Sequence, residues 1–174
     1  MQVPQWWWRL LTNEELTPED EFYFQWHITE RCNKRCLHCY QDAHFTKELS
    51  LGNLHKVLAI MESTLSKWDR VGSISFTGGE PFIRQTDLFA LLGEVDQIPK
   101  FSFYDILTNG SLITDDIVTL LKQAQKLRRI QISLEGSTPG VNDHIRGQGS
   151  FAEIISAIRK LKQNNFTVSE VGCQ

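Results

Sequence analysis

The sequence predicts an α/β fold, a partial parallel (β/α) barrel of about five units in which the chain ends within the fifth strand. Segments rich in aromatic and β-branched residues alternate with amphipathic segments along the 174 residues, as they do when parallel strands are joined by crossover helices. Polar and glycine-rich segments follow four successive strands. Parallel barrels place their active sites at those strand ends, whereas a doubly wound sheet concentrates ligands at one switch point. We therefore expect a barrel or part of one.

The first two βα units are predicted from strand-like and helix-like segments in turn. FYFQWHIT at 22–29 has the aromatic and β-branched composition of a strand. Apolar residues then recur at helical spacing over 50–68. VGSISFT at 71–77 is the second predicted strand, and a helix is expected over 86–96. The loops that follow these two strands are ERCNKRCLHCY and GGEPF.

The third unit begins with FSFYDILT at 101–108, a predicted strand. The loop after it, NGSLIT, contains the common turn dipeptide Asn-Gly. Thr114 is the expected N-cap of the next helix. Apolar residues at helical spacing extend the prediction of this helix as far as Leu127.

The fourth unit begins with RIQISLE at 129–135, a predicted strand. Residues 136–150 are expected to form a long polar loop. Ser150 and Glu153 have the spacing of a capping box for the helix that follows. A fifth strand is expected to start near Thr167, close to the end of the chain.

Composition and charge exclude several functional classes. Hydrophobic residues make up 41% and charged residues 22% of the chain, as in ordinary globular proteins. A net charge of −3 gives no electrostatic case for a nucleic-acid partner or an anionic membrane surface. We find no apolar run near the roughly 20 residues of a membrane span, and no signal peptide. We expect a cytoplasmic protein. In that reducing compartment, clustered cysteines bind metal or take part in catalysis more often than they form disulfides.

Three of the chain's four cysteines fall within eight residues, in the spacing C-x3-C-x2-C, at Cys32, Cys36 and Cys39. Thiolates are soft ligands that suit iron–sulfur clusters, zinc or copper(I). Three of them leave one ligand position, which either a residue from elsewhere fills or a substrate or cofactor occupies. The alternative to a cluster is a zinc site whose fourth ligand is His27, His38 or His44.

Together with three later motifs, this spacing resembles the signature of the radical S-adenosylmethionine (radical SAM) superfamily. GGEP at 78–81, TNG at 108–110 and SLEG at 133–136 are similar to the later family motifs, in the same order and after the same strands. The motifs are closest to the peptide-modifying, sulfatase-maturase-like branch. The resemblance implies an enzyme with a [4Fe–4S] cluster on the three cysteines and S-adenosylmethionine on the fourth iron. Reductive cleavage of that cofactor would yield a 5′-deoxyadenosyl radical, which abstracts hydrogen from a substrate.

The resemblance also implies cofactor contacts from the loops after strands 1 to 4, at His38, Tyr40, Gly78, Gly79, Glu80, Asn109, Ser133 and Arg146. Glu80 and the glycine carbonyls would receive the ammonium group of the cofactor. Asn109 would lie near the ribose, and Ser133 and Arg146 would bind the methionine carboxylate. Considered in isolation, Glu80 could equally be a solvated surface charge in a turn between a strand and a helix. Asp143 is expected to be a loop charge.

The expected domain organisation is an N-terminal aromatic extension, residues 1–21 with Trp6–Trp8, and a radical SAM core over 22–174. This core is expected to be C-terminally incomplete, because the family core usually has six strands. A peptide or protein is the expected substrate, and a flavodoxin or ferredoxin the expected low-potential electron donor. Family members usually have Asp where this chain has Glu135. Two alternatives stay open: a non-catalytic zinc- or cluster-binding interaction module, and a member that binds S-adenosylmethionine without cleaving it.

Overall fold

The computed structural model describes residues 21–41 and 48–171, which form a five-stranded parallel sheet. In spatial order the strands are β1 (Glu21–Thr29), β2 (Val71–Gly78), β3 (Phe101–Thr108), β4 (Leu127–Ser133) and β5 (Val168–Val171). Because this order does not reverse, right-handed crossovers place the connecting helices on one face of the sheet. A doubly wound sheet would reverse its order at a switch point. The predicted partial barrel is therefore confirmed.

Helices connect the strands and cover one face. They are α1 (Leu51–Trp68), a 3-10 helix (Pro81–Arg84), α2 (Gln85–Gln97), α3 (Asp115–Leu121), α4 (Pro139–Arg146) and α5 (Ser150–Gln163). None of the helices in the described part of the chain is long and apolar enough to cross a membrane. The predicted aromatic segment Trp6–Trp8, His44 and Cys173 lie outside the described residues.

The hydrophobic core lies between the sheet and the helices. Its central strand residues are at most 1% exposed, at Ile74, Phe76, Tyr104, Ile106, Ile130 and Ile132. Because side chains alternate along a strand, their neighbours point to the face without helices. On β2 these are Ser73, Ser75 and Thr77. The helix-free face therefore carries polar side chains along β2, and the loops with the predicted motifs lie at its carboxyl end.

The predicted N-cap Thr114 is confirmed, since its hydroxyl oxygen accepts a hydrogen bond from Ile117 N at 3.2 Å. The extension of this helix to Leu127 is wrong, because α3 ends earlier and Leu127 begins β4. The carboxylate of Asp96 accepts hydrogen bonds from the backbone of the connecting turn, including Lys126 N at 2.9 Å. This contact holds the turn that leads from α3 into β4, and β4 begins two residues before the predicted position.

The segment expected to be a loop after β4 contains α4, and the predicted capping box is wrong. Gly149, with φ of 83°, is the N-cap of α5, and Ser150 is already inside the helix. The cap comes from Asp143 in α4, whose carboxylate accepts from Gly149 N at 2.8 Å and Phe151 N at 2.7 Å. These hydrogen bonds lower the pKa of Asp143, and the bond from Phe151 N has the largest effect. Asp143 therefore lies in α4 and caps the start of α5, so its interpretation as a loop charge is wrong.

Candidate functional site

A cavity of about 350 Å³ lies at the carboxyl end of the sheet, above its helix-free face. All of the predicted site residues except Glu80 line it, namely Cys32, Cys36, His38, Cys39, Tyr40, Gly78, Gly79, Asn109, Ser133 and Arg146. The loops after β1 to β4 each contribute. The strands add polar side chains to the floor, among them Gln25 and Gln131. The parallel order of the strands is what gathers residues more than 100 positions apart around one space.

The cysteine loop is irregular in structure but is tied to its neighbours. Cys39 N donates to Cys36 O at 3.1 Å, and Leu37 N donates to Ile145 O of α4 at 2.9 Å. Within the described ranges, no three His, Cys, Asp or Glu side chains converge closely enough to hold one metal ion. A [4Fe–4S] cluster takes its thiolates on separate irons, so three thiols around a shared cavity fit that group.

The sulfurs of Cys32 and Cys36 each accept hydrogen bonds from groups of this chain. The sulfur of Cys32 accepts from Lys34 N at 3.4 Å and from Asn109 Nδ2 at 3.8 Å. Burial raises the pKa of the Cys32 thiol, and also that of Cys36, against the opposing charge of Arg146. Both thiols therefore favour the protonated state until a metal displaces the protons.

Gly78 and Gly79 are required by the contact between two loops. Gly79 N donates to Thr29 O at 2.9 Å, which brings the two backbones together. A Cβ at Gly79 would lie 2.3 Å from Arg31 O, and Gly78 has a φ of 145°, a region that favours glycine. The cysteine loop thus rests directly on the GGEP loop. The predicted contact of their carbonyls with a cofactor ammonium stays a prediction.

Glu80 is completely buried, so its interpretation as a solvated surface charge is wrong. Its carboxylate accepts from Phe82 N at 3.1 Å, Thr108 Oγ1 at 2.8 Å and Asn109 N at 2.7 Å. Burial raises the pKa of this carboxyl group to about 7, against those three donors. Glu80 therefore ties the loop after β2 to the loop after β3 from below the cavity. Its contact with the cofactor stays a prediction.

Asn109 connects the third loop to the cysteine loop. Its Nδ2 donates to Asn33 Oδ1 at 2.9 Å, and its Oδ1 accepts from Ser111 N at 2.9 Å. Asn33 in turn donates to Ser111 Oγ at 2.8 Å. Sequence reasoning missed Asn33, which lies beside Cys32 and offers no periodic signal. The predicted position of Asn109 near a ribose, and that of Ser133 near a carboxylate, stay predictions.

Arg146 is engaged by two partners of this chain. Its Nε and Nη2 donate to Glu135 Oε1 at 3.0 and 2.5 Å, and its Nη1 donates to Cys36 Sγ at 3.8 Å. His38 Nε2 lies 3.5 Å from the same Glu135 oxygen. Sequence reasoning noted Glu135 as a departure from the family pattern but did not identify it as a site residue. These contacts use three of the five guanidinium N–H groups, and the predicted binding of a methionine carboxylate by Arg146 stays a prediction.

Comparisons with known proteins cover most of the chain. The model of the Radical SAM superfamily matches residues 26–173. Mycofactocin maturase MftC of Mycobacterium tuberculosis is 31% identical over 163 residues, which are 91% of this chain and 39% of that protein. GTP 3′,8-cyclase of Clostridium perfringens is 27% identical over 148 residues, 84% of this chain and 44% of that protein. The chain thus spans less than half the length of these relatives.

Solved structures share the fold at lower identity. The anSMEcpe structure with bound AdoMet is 17% identical with a TM-score of 0.69, over 87% of this chain and 43% of that one. SuiB of Streptococcus suis, bound to its precursor peptide SuiA, is 19% identical with a TM-score of 0.70, over 86% of this chain and 32% of that one. These neighbours support the partial barrel described above.

Proposed function

The chain belongs to the radical SAM superfamily, and on that premise we propose that Cys32, Cys36 and Cys39 bind a [4Fe–4S] cluster beside a site for S-adenosylmethionine. The family implies both cofactors. The observation that carries the proposal is that the three cysteines line the same cavity as Gly79 and Ser133 from later loops. When bound, the cluster supplies the electron that cleaves S-adenosylmethionine and starts hydrogen abstraction.

The residues of this chain would bind and orient the two cofactors. The three thiolates hold the cluster, and the carbonyls of the GGEP loop, with Asn109 and Ser133, surround the space left beside it. Glu80 acts from below by fixing two loops through its three hydrogen bonds. Burial supports this difference in roles. Glu80 has no exposed surface and can act only through its neighbours, whereas Tyr40, which lines the cavity, is 76% exposed.

We propose a peptide or protein as the substrate class. MftC is named a maturase, and SuiB was solved with a precursor peptide. MftC of Mycobacterium tuberculosis matches 91% of this chain, and the GTP 3′,8-cyclase of Clostridium perfringens matches 84%. The proposal includes a low-potential electron donor such as a flavodoxin or ferredoxin, and a core domain over 22–174 that follows an extension over 1–21.

The test is anaerobic reconstitution with iron and sulfide, followed by dithionite and S-adenosylmethionine. We expect about four irons per chain, a broad visible absorption that bleaches on reduction, and 5′-deoxyadenosine. Cys36→Ala should lose iron and cleavage together. The matched control Cys173→Ala removes a cysteine outside the motif and should keep both.

Two outcomes would contradict the proposal in different ways. Zinc without iron would favour the non-catalytic interaction module. A complete cluster that yields no 5′-deoxyadenosine would favour a protein that binds the cofactor without cleaving it.

A further inference from the structure

A buried ion pair beside the cysteine loop has a role that the proposed function does not include. We propose that Glu135 is a positioning residue, which aims the guanidinium of Arg146 at the sulfur of Cys36 and so raises the reduction potential of the cluster. This inference rests on the proposed function, because it requires a cluster on Cys36. It concerns how easily that cluster accepts an electron.

The geometry of the pair leaves the guanidinium little freedom. The side chain of Glu135 is 1% exposed and that of Arg146 is 9% exposed. Arg146 donates through Nε and Nη2, at 3.0 and 2.5 Å, to one oxygen of Glu135. Because that edge of the planar group is fixed, the remaining nitrogen, Nη1, faces the sulfur of Cys36 at 3.8 Å.

Both partners of the pair are themselves held in place. The side chain of Asn142, which is completely buried, accepts from Glu135 N at 3.1 Å and so fixes the start of the loop after β4. Arg146 is the last residue of α4, and the bond from Leu37 N to Ile145 O attaches that helix end to the cysteine loop. The contact with Cys36 therefore follows from the fold on both sides.

The charge arrangement favours the reduced cluster. Hydrogen bonds to the sulfurs, net charge and solvent exposure set the potentials of iron–sulfur clusters. Reduction adds one negative charge, which a fixed guanidinium near a ligand sulfur stabilises, most strongly where water is excluded. Glu135 binds the opposite edge of the guanidinium, so the pair presents its positive end to Cys36.

The test is a redox titration of the reconstituted protein, followed by EPR and visible absorption, with iron counted in each variant. R146Q removes the charge that contacts Cys36. E135D keeps the charge of the carboxylate but shortens its side chain by one methylene, so a change reports the position of the pair and not the loss of a charge. The control R159Q removes the same charge from an exposed position of α5.

We expect about four irons per chain in all of these proteins. At a fixed solution potential, R146Q should show a ratio of reduced to oxidised cluster about tenfold lower than the wild type, which corresponds to about 59 mV for one electron. E135D should shift in the same direction by a smaller amount, and R159Q should match the wild type.

Wild-type potentials in both R146Q and E135D, at normal iron content, would overturn the inference and leave the proposed function intact. A wild-type protein that binds no iron would overturn both. If R146Q alone fails to bind iron, E135D decides: a more negative potential supports positioning, and an unchanged potential overturns it.

Discussion

Replacing Glu80 with Gln tests whether its carboxyl group is buried as the structure describes. Three donors surround a side chain that has no exposed surface: the N–H groups of Phe82 and Asn109 and the hydroxyl of Thr108. Burial disfavours the charged form more than these donors favour it, so the pKa is about 7 instead of 4.5. Gln has nearly the same shape but does not titrate. Any pH dependence of stability that comes from Glu80 should therefore disappear in Glu80→Gln.

The magnitude follows from the two pKa values of Glu80. Between them the folded protein binds the proton more tightly than the unfolded chain does, so stability falls as the pH rises. The contribution is complete below pH 4.5, the unfolded value, and is lost as the pH passes the folded value of about 7. At 1.36 kcal/mol per pKa unit the whole effect is about 3 kcal/mol, of which about 2.5 kcal/mol is lost between about pH 5 and pH 8.

The assay is urea unfolding of the iron-free protein at several pH values from about 5 to about 8. The difference in unfolding free energy between wild type and Glu80→Gln cancels the histidines and the other titrating groups. We expect this difference to change by about 2.5 kcal/mol across the range, with the wild type relatively more stable at the acid end. Parallel profiles would refute the reasoning. A change of opposite sign would mean that the three donors outweigh burial.

Four further substitutions test the described packing by urea unfolding. Gly79→Ala should destabilise the protein by about 3 kcal/mol, because its Cβ would lie 2.3 Å from a carbonyl oxygen; Gly93→Ala, with nothing within 4 Å in the middle of α2, should stabilise it by about 0.5–1 kcal/mol. Equal effects would show that the two loops are not in contact. Thr114→Ala should cost about 1 kcal/mol through the loss of the α3 cap, and no cost would argue against that cap. Asn142→Ala should cost about 2 kcal/mol, because it leaves the partly buried backbone N–H of Glu135 without its acceptor; an unchanged unfolding midpoint would contradict that contact.

The identity and order of the elements could be predicted from the sequence, because burial of one face leaves a periodic pattern. The ends of the elements could not be predicted as well. Leu127 has the right spacing for α3 but pairs with Tyr104 in the sheet, and an apolar residue fits either setting. The predicted cap at Ser150 was displaced by Asp143, which is close in space only because α4 forms. A local sequence pattern does not show which of two possible interactions the tertiary structure will favour.

The candidate site shows the same limit in a different form. The cysteine spacing and the loops at the strand ends predicted which residues would gather, and all of them except Glu80 line the cavity. The interactions between the loops could not be predicted from the sequence. Glu80 bonds to Thr108, 28 residues away, and Arg146 to Cys36, 110 residues away. Both contacts depend on the register of β2, β3 and β4, which side-chain patterns alone do not determine.

The polar face of the sheet gives the fold one core where a closed barrel would have two. Closed barrels fill their interior with branched apolar side chains. Here the helix side of β3 carries Tyr104 and Ile106 in the core, while Asp105 points to the other side and binds Arg128 and Arg129. A register shift between Tyr104 and Asp105 brings both arginines to this one carboxylate. The same face contributes Gln25 and Gln131 to the floor of the cavity beneath the cysteine loop, so the missing second core leaves polar side chains where a ligand would bind.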